Sequence, residues 1–235
     1  MKLSIVIPCY NELENIPLIL ERFAEVITNQ NIEVIMVDNG STDGSDKLLK
    51  ELVKKYEFAK IKTVKKNQGY GYGILQGLKS SKGDFLGWTH ADMQTDPNDV
   101  IRAYEILKEN NFDKKIYIKG NRKKRPFFDV IFTFGMGIFE TLYLRTRLSD
   151  INAQPNIFSR EFYNTWQKPP YDFSLDLYVY YLARKAKLKI IKFPVLFTKR
   201  LHGSSHWNNG SFKSKYKFIK RTLNFSKKLK KEGIK

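Results

Sequence analysis

The stretch Ile5-Val6-Ile7-Pro8-Cys9-Tyr10-Asn11-Glu12 runs from an apolar segment straight into a polar turn. The same pattern returns at Val34-Ile35-Met36-Val37-Asp38-Asn39-Gly40-Ser41. Each is a short, continuous apolar run, as expected of a buried strand, closed by turn-forming residues that include a carboxylate. A third run, residues 84–89, ends in His90-Ala91-Asp92-Met93-Gln94. In an open α/β sheet the carboxyl ends of the strands border the crevice where ligands bind. These three strand ends therefore mark the candidate site.

Outward from them the chain alternates. Strand-like runs at 3–7, 33–37, 59–64 and 84–89 are separated by helix-like stretches at 16–28, 46–56, 73–80 and 97–110. Pro17 and the Ser45-Asp46 pair stand where helix starts are expected. Alternation at this pitch predicts an α/β fold: a Rossmann-like, mostly parallel, twisted sheet flanked by helices. Further on, 116–119 and 189–197 read as strands, 156–158 as a short strand and 174–187 as a helix. The 235 residues suit one domain, and no repeat or low-complexity linker divides them. The expected organisation is a catalytic body over 1–210 and a basic amphipathic tail over 211–235.

The formal net charge of +18 calls for an anionic partner. Nucleotide phosphates, acidic lipid headgroups and nucleic acid all qualify. The sequence holds no zinc-ligand, RNP-like or helix-turn-helix pattern, so nucleic acid is not expected. Half the net charge sits in residues 211–235, where ten Lys or Arg face a single Glu and Phe212, Tyr216, Ile219 and Leu223 recur at helical spacing. Residues 127–144 are also distinctive, with twelve large apolar or aromatic side chains in eighteen positions. Asp129, Thr133, Gly135, Gly137 and Glu140 interrupt them, and no run of eighteen apolar residues exists, so a spanning helix is not expected. With Arg122-Lys123-Lys124-Arg125 before it and Arg145 and Arg147 after it, this segment reads as one that lies on an anionic membrane surface, the alternative being core packing of the domain's second half. Cys9 is the sole cysteine, which precludes an intramolecular disulfide. No secretory leader is visible. The expected location is cytoplasmic, peripheral at the inner face of the membrane.

The three strand ends together resemble the nucleotide-sugar half of family 2, GT-A fold glycosyltransferases. That family writes them as Pro-Tyr-Asn-Glu, Asp-Asp/Asn-Gly-Ser and Asp-Ala-Asp. The resemblance covers about residues 3–206 and is nearest to the dolichyl- and polyprenyl-phosphate sugar (mannosyl or glucosyl) transferases. It implies an inverting, metal-dependent transfer of a sugar from a GDP- or UDP-sugar to a lipid phosphate acceptor. A glycan hydroxyl is the alternative acceptor.

Carried over residue by residue, the resemblance assigns Pro8, Tyr10, Glu12 and Asp38 to the nucleoside pocket. Asn11 and Asp43 read equally well as turn and capping residues. Asn67-Gln68-Gly69 matches an Asn-x-Gly loop leading into a helix, so Asn67 and Gly69 join the nucleotide-sugar set. Asp92, with Ala91 before it, is the foremost candidate. His90, Asp92 and Gln94 are the implied ligands of Mn2+ or Mg2+. His90 stands where the family has Asp; its imidazole suits Mn2+ better than Mg2+, or it touches the donor rather than the metal, or it is a plain polar residue at a strand end. Arg122, in Lys119-Gly120-Asn121-Arg122, matches an arginine of the phosphate region. Asp150, followed by Gln154 and Phe158-Ser159-Arg160, matches the acceptor side. Asp150 and Asp176 are the candidate bases or acceptor-binding carboxylates. Arg200-Leu201-His202-Gly203-Ser204-Ser205-His206 resembles the loop that closes over the diphosphate. Arg200 is thereby a catalytic candidate, and His202 and His206 are nucleotide-sugar candidates.

Overall fold

Every apolar run read as a strand is one in the computed structural model, which describes residues 1–28, 31–198, 200–203 and 212–232. In chain order the elements are β1 (Leu3–Cys9), α1 (Asn15–Val26), β2 (Ile32–Asp38), α2 (Ser45–Leu52), β3 (Ala59–Thr63), α3 (Tyr70–Ser80), β4 (Phe85–Trp88) and α4 (Asn98–Glu109). The second half continues with β5 (Ile116–Lys123), α5 (Phe127–Tyr143), β6 (Asn156–Ser159), α6 (Arg160–Tyr163), α7 (Ser174–Lys185), β7 (Lys189–Leu196) and α8 (Phe212–Glu232). One seven-stranded sheet has the order β3-β2-β1-β4-β6-β5-β7. Only β6 is reversed, running antiparallel to both β4 and β5. The remaining pairs are parallel.

The apolar runs are continuous because both faces of the sheet are covered. Successive side chains alternate between two cores. Ile5, Ile7, Val34 and Met36 pack with Ile19, Leu20 and Phe23 of α1 and Ala103 and Leu107 of α4. Val6, Ile35, Val37 and Trp88 pack on the other side with Ile74 and Leu78 of α3 and with α7. Helix α7 is buried at every position from Ser174 to Ala183, because the sheet lies on one side and α8 on the other. Tyr178 of α7 meets Phe225 of α8 edge-on, with ring centroids 6.4 Å apart.

The structure changes the expected picture of the basic tail. Among its described side chains Thr222, Ser226 and Leu229 are buried, whereas Tyr216 is 64% exposed. Ile219 and Leu223 are partly exposed, and the Phe212 side chain lies outside the described residues. Ser226 Oγ donates to Glu140 Oε2 of α5 at 2.7 Å. The neighbouring helices α5 and α7 offer a buried acceptor as well as apolar surface, so the seam they select is Ser/Thr/Leu at helical spacing. The described part of residues 211–235 is thus a packed element of the body, with its exposed lysines on the outer face.

A buried carboxylate ties the amino-terminal ends of the strands together. Glu33 Oε1 accepts from Ser4 Oγ at 2.6 Å and from the Lys82 N–H at 2.8 Å. Its Oε2 accepts from Lys60 Nζ at 2.5 Å and lies 3.3 Å from Lys2 Nζ. Burial by itself would push this carboxyl up. The hydrogen bonds from Lys60, Ser4 and Lys82 and the Lys60 charge outweigh burial and lower it from 4.5 to about 2. A depressed folded value stabilises the fold above the unfolded value and ceases to do so as pH falls through the folded one. Glu33→Gln should therefore lose roughly 2 kcal/mol at pH 7, discounted for the half-exposed lysines. The difference from wild type should shrink between about pH 4.5 and pH 2 in urea unfolding. A pH-independent difference would remove Glu33 from this role.

Candidate active site

The carboxyl ends of β1 and β4 and the turns that follow them open into a cavity of about 580 Å3. Pro8, Tyr10, Glu12 and Asn67 line it, as do His90, Ala91, Asp92 and Gln94, and so do Arg122 and Arg200. Most of the residues singled out in the sequence therefore come together, although they span nearly the whole chain.

Asp38, Gly69, Asp150 and His202 do not line this cavity. Asp38 is buried under its own turn, where Oδ1 accepts the Ser41 N–H at 3.0 Å. The next residue, Asn39, lines the cavity, with Oδ1 buried and without a hydrogen-bond partner among the described residues. Gly40 permits this turn. Its φ is +77°, and a Cβ there would lie 2.6 Å from the Asn67 backbone nitrogen. Gly69 serves loop packing: with φ at +118°, its added Cβ would meet the Tyr171 carbonyl oxygen at 2.4 Å. Asn11 and Asp43 both make hydrogen bonds within the turns that follow β1 and β2. Asn11 Oδ1 accepts the Thr42 N–H at 2.9 Å, and Asp43 Oδ1 accepts the Ser45 N–H at 3.0 Å at the start of α2.

Glu12 is held from two sides. Its Oε1 forms an ion pair with Arg200, and its Oε2 accepts from Asn15 Nδ2 at 2.6 Å. Arg200 Nε donates to the His202 carbonyl at 2.9 Å, which folds residues 200–203 over the end of β1. The His202 side chain is turned outward, 3.9 Å from Glu14, so its backbone rather than its imidazole belongs to this arrangement. His206 lies outside the described residues.

His90 and Asp92 stand two residues apart on the turn after β4, in which Met93 takes a φ of +57°. Asp92 Oδ1 accepts the Gln94 N–H at 3.2 Å, and Gln94 Nε2 donates to the Thr198 carbonyl at 3.2 Å. Among the described residues no group of three His, Cys, Asp or Glu side chains is placed to hold a metal ion. His90 and Asp92 both line the cavity, and a divalent cation held there would need further oxygen ligands from a bound phosphate or water.

On the arginine side of the cavity Asp150 is engaged by Arg122. The backbone N–H of Arg122 donates to Asp150 Oδ2 at 2.8 Å and its Nε to Oδ1 at 2.8 Å, with Nη2 also on Oδ1. Burial pushes the Asp150 carboxyl up, but the Arg122 charge and these hydrogen bonds outweigh it and hold the carboxyl below its usual range. A carboxylate so engaged is a poor proton acceptor and a good clamp for a guanidinium. Arg125, read in the sequence only as a membrane flank, lines the cavity beside Arg122. Its Nη1 donates to Thr133 Oγ1 at 2.9 Å, and both guanidinium groups stand over the Phe197 ring. The three-residue spacing of Arg122 and Arg125 was the available signal.

Helix α5 divides its side chains between two environments. Asp129, Phe132, Thr133 and Met136, at helical spacing, face the cavity. Phe127, Val130, Ile131, Phe134, Ile138 and Leu142 are exposed. No helix among the described residues is long and apolar enough to cross a membrane.

A parallel sheet with one reversed strand, covered on both faces and bearing its cavity at the strand ends, is the GT-A fold. The match to the family model described as Glycosyl transferase family 2 spans residues 4–126, and the chain belongs to that family. Among curated relatives, a dolichol-phosphate mannosyltransferase of Pyrococcus furiosus is 27% identical over 212 residues, covering 87% of this chain and 59% of the relative. An undecaprenyl-phosphate 4-deoxy-4-formamido-L-arabinose transferase of Aeromonas hydrophila is 37% identical over 106 residues, 43% of this chain and 32% of the relative. The chain thus spans well under two thirds of either relative. A mannosyltransferase from Pyrobaculum calidifontis, solved with GDP-Man and Mn2+, superposes with a TM-score of 0.63 at 17% identity, over 86% of this chain and 58% of that one. Glucosyl-3-phosphoglycerate synthase from Mycobacterium tuberculosis, solved with Mn2+, UDP and its product, gives 0.65 at 15% identity, over 86% and 73%.

Proposed function

We propose that this protein transfers a sugar, with inversion, from a nucleotide sugar to a polyprenyl phosphate at an anionic membrane surface. The observation that carries this reading is the joining of two anion-handling groups in one cavity: the His90–Asp92 pair with Arg200, and the Asp150-clamped Arg122 with Arg125. The first group suits a departing diphosphate and the second an incoming phosphate. Pro8, Tyr10, Asn39 and Asn67 offer ring surface and amides for the nucleoside.

A phosphate oxygen of the acceptor, already ionised at neutral pH, forms the new bond to the anomeric carbon as the bond to the nucleoside diphosphate breaks. No general base is required, which agrees with the engaged state of Asp150. Arg122 and Arg125 orient the attacking phosphate. Arg200 would have to leave Glu12, at least in part, to reach the diphosphate. His90 and Asp92 would hold a divalent cation, Mn2+ or Mg2+, which would supply Lewis-acid neutralisation of the leaving group. The apolar outer face of α5 and the exposed lysines of α8 suit the lipid surface from which such an acceptor is drawn.

The test is a thermal-shift panel of UDP-glucose, UDP-N-acetylglucosamine and GDP-mannose with and without Mn2+, followed by transfer to undecaprenyl phosphate. Binding to the native state raises Tm. No shift with any donor, or transfer only to a glycan hydroxyl, overturns the proposal. Vesicle binding gives a second expected outcome. The protein should bind phosphatidylglycerol vesicles, and added salt should weaken that binding steeply, because each Lys or Arg near the surface contributes on the order of 1 kcal/mol over about a Debye length. A salt-resistant remainder should be lost in the triple variant Phe127→Ser, Phe134→Ser, Leu142→Ser, whose side chains are all exposed. An unchanged remainder in that variant would separate α5 from the lipid.

A further inference from the structure

We infer that Asp176 is the donor-sugar recognition residue, accepting a hydrogen bond from one sugar hydroxyl; the inference rests on the nucleotide-sugar reading above. Asp176 lies in the first turn of α7, is 1% exposed and lines the cavity. Its Oδ1 accepts three hydrogen bonds, from Trp88 Nε1 at 3.2 Å, Gln154 Nε2 at 2.9 Å and Asn156 Nδ2 at 3.2 Å. Its Oδ2 accepts none among the described residues. The carboxylate is therefore locked in rotation, with one oxygen saturated and the other left for a ligand.

The neighbours point to a polyol. Ser174, in the same turn, has its Oγ buried with no hydrogen-bond partner among the described residues. The Tyr70 hydroxyl accepts from Gln154 Nε2 at 3.0 Å, and its ring stacks on Phe173 at 4.5 Å. Fully buried Lys119 braces the array from behind, donating to Asn156 Oδ1 at 3.0 Å and to the Ile151 and Ala153 carbonyls at 2.6 and 2.7 Å. A carboxylate oxygen with no hydrogen-bond donor of its own accepts from a hydroxyl and offers nothing to a phosphate, so neither the diphosphate nor the acceptor phosphate fits here. A hydroxyl, which donates to Oδ2 and can also accept from Ser174 Oγ, does fit.

Position agrees with chemistry. Trp88, which holds Asp176, is two residues from His90, so this acceptor adjoins the groups assigned to the diphosphate. The sugar is bonded directly to that diphosphate, whereas the base lies at its far end. A donor lacking the matching hydroxyl would leave a desolvated carboxylate oxygen unpaired, and sites of this kind discriminate strongly.

Asp176→Asn tests the inference cleanly. The amide oxygen can keep the three donors while the amide nitrogen replaces Oδ2, exchanging an acceptor for a donor in the cavity. Kd is measured by calorimetry with Mn2+ for whichever of UDP-glucose, UDP-N-acetylglucosamine and GDP-mannose binds the wild type, and for its nucleoside diphosphate. The donor's Kd should rise by about tenfold or more, with that of the nucleoside diphosphate changed less than about twofold. Unchanged donor affinity, or a parallel loss of both ligands, overturns the inference and leaves the nucleotide-sugar reading standing. Monodeoxy analogues of the donor decide the matter on the wild type alone if the variant does not fold. One position should lose about tenfold in affinity, and in a folded Asp176→Asn that loss should vanish. An even response across all positions refutes the role. If wild type binds no donor and no nucleotide, the broader reading falls, and this inference falls with it.

Discussion

Asp92→Asn is expected to lower turnover by about a thousandfold, roughly 4 kcal/mol of barrier, with the protein still folded. The substitution removes the carboxylate charge from the proposed cation site of His90 and Asp92. Because no third acidic, His or Cys ligand converges there among the described residues, the remaining imidazole has little with which to hold a divalent ion. The structural cost is small. Asp92 accepts one hydrogen bond, from the Gln94 N–H, and an amide oxygen can accept it equally well. Turnover at saturating Mn2+ and calorimetric Mn2+ binding in the presence of a nucleoside diphosphate should fall together, with Tm near that of wild type. Turnover within about tenfold of wild type would remove Asp92 from the chemistry.

Gly120→Ala should have the largest effect on stability. Gly120 lies in β5, where its N–H donates to the Pro155 carbonyl at 3.0 Å. A Cβ there would stand 1.9 Å from the Gln154 carbonyl oxygen and 2.7 Å from its carbon. Backbone, not a flexible side-chain end, would have to move. A loss of about 3 kcal/mol or more in urea unfolding is expected. The displaced segment carries Gln154 and Asn156, which fix Asp176, so donor binding should weaken even in the fraction that folds. A loss under about 1 kcal/mol would show that β5 and the Gln154 segment separate at little cost.

The two predictions draw on different levels of information. Asp92 could be picked out from the residues alone: an apolar run followed by a polar turn places its side chains at a strand end, and parallel strands bring their carboxyl ends to one edge. The same logic located Tyr10, Glu12 and His90. It does not resolve single turns, where a step of one residue decides which side chain turns toward the cavity. Asp38 is folded under to hold Ser41, and Asn39 takes the outward position.

The amino-acid sequence by itself thus determined the strands, their mostly parallel order of use and the cluster of turns at one edge, because hydrophobic periodicity and turn chemistry act over a few neighbouring residues. Only the tertiary structure decided the partners of the charges. Asp150, a candidate base on sequence grounds, clamps Arg122 across 28 residues, and Glu12 pairs with Arg200 across 188. Asp176 meets Trp88 across 88 residues. In a chain with 42 Lys and Arg, local pattern cannot select which cation a carboxylate will meet. That choice follows from which loops the sheet brings within a few ångströms, where burial removes water and makes an unpaired charge too costly to keep.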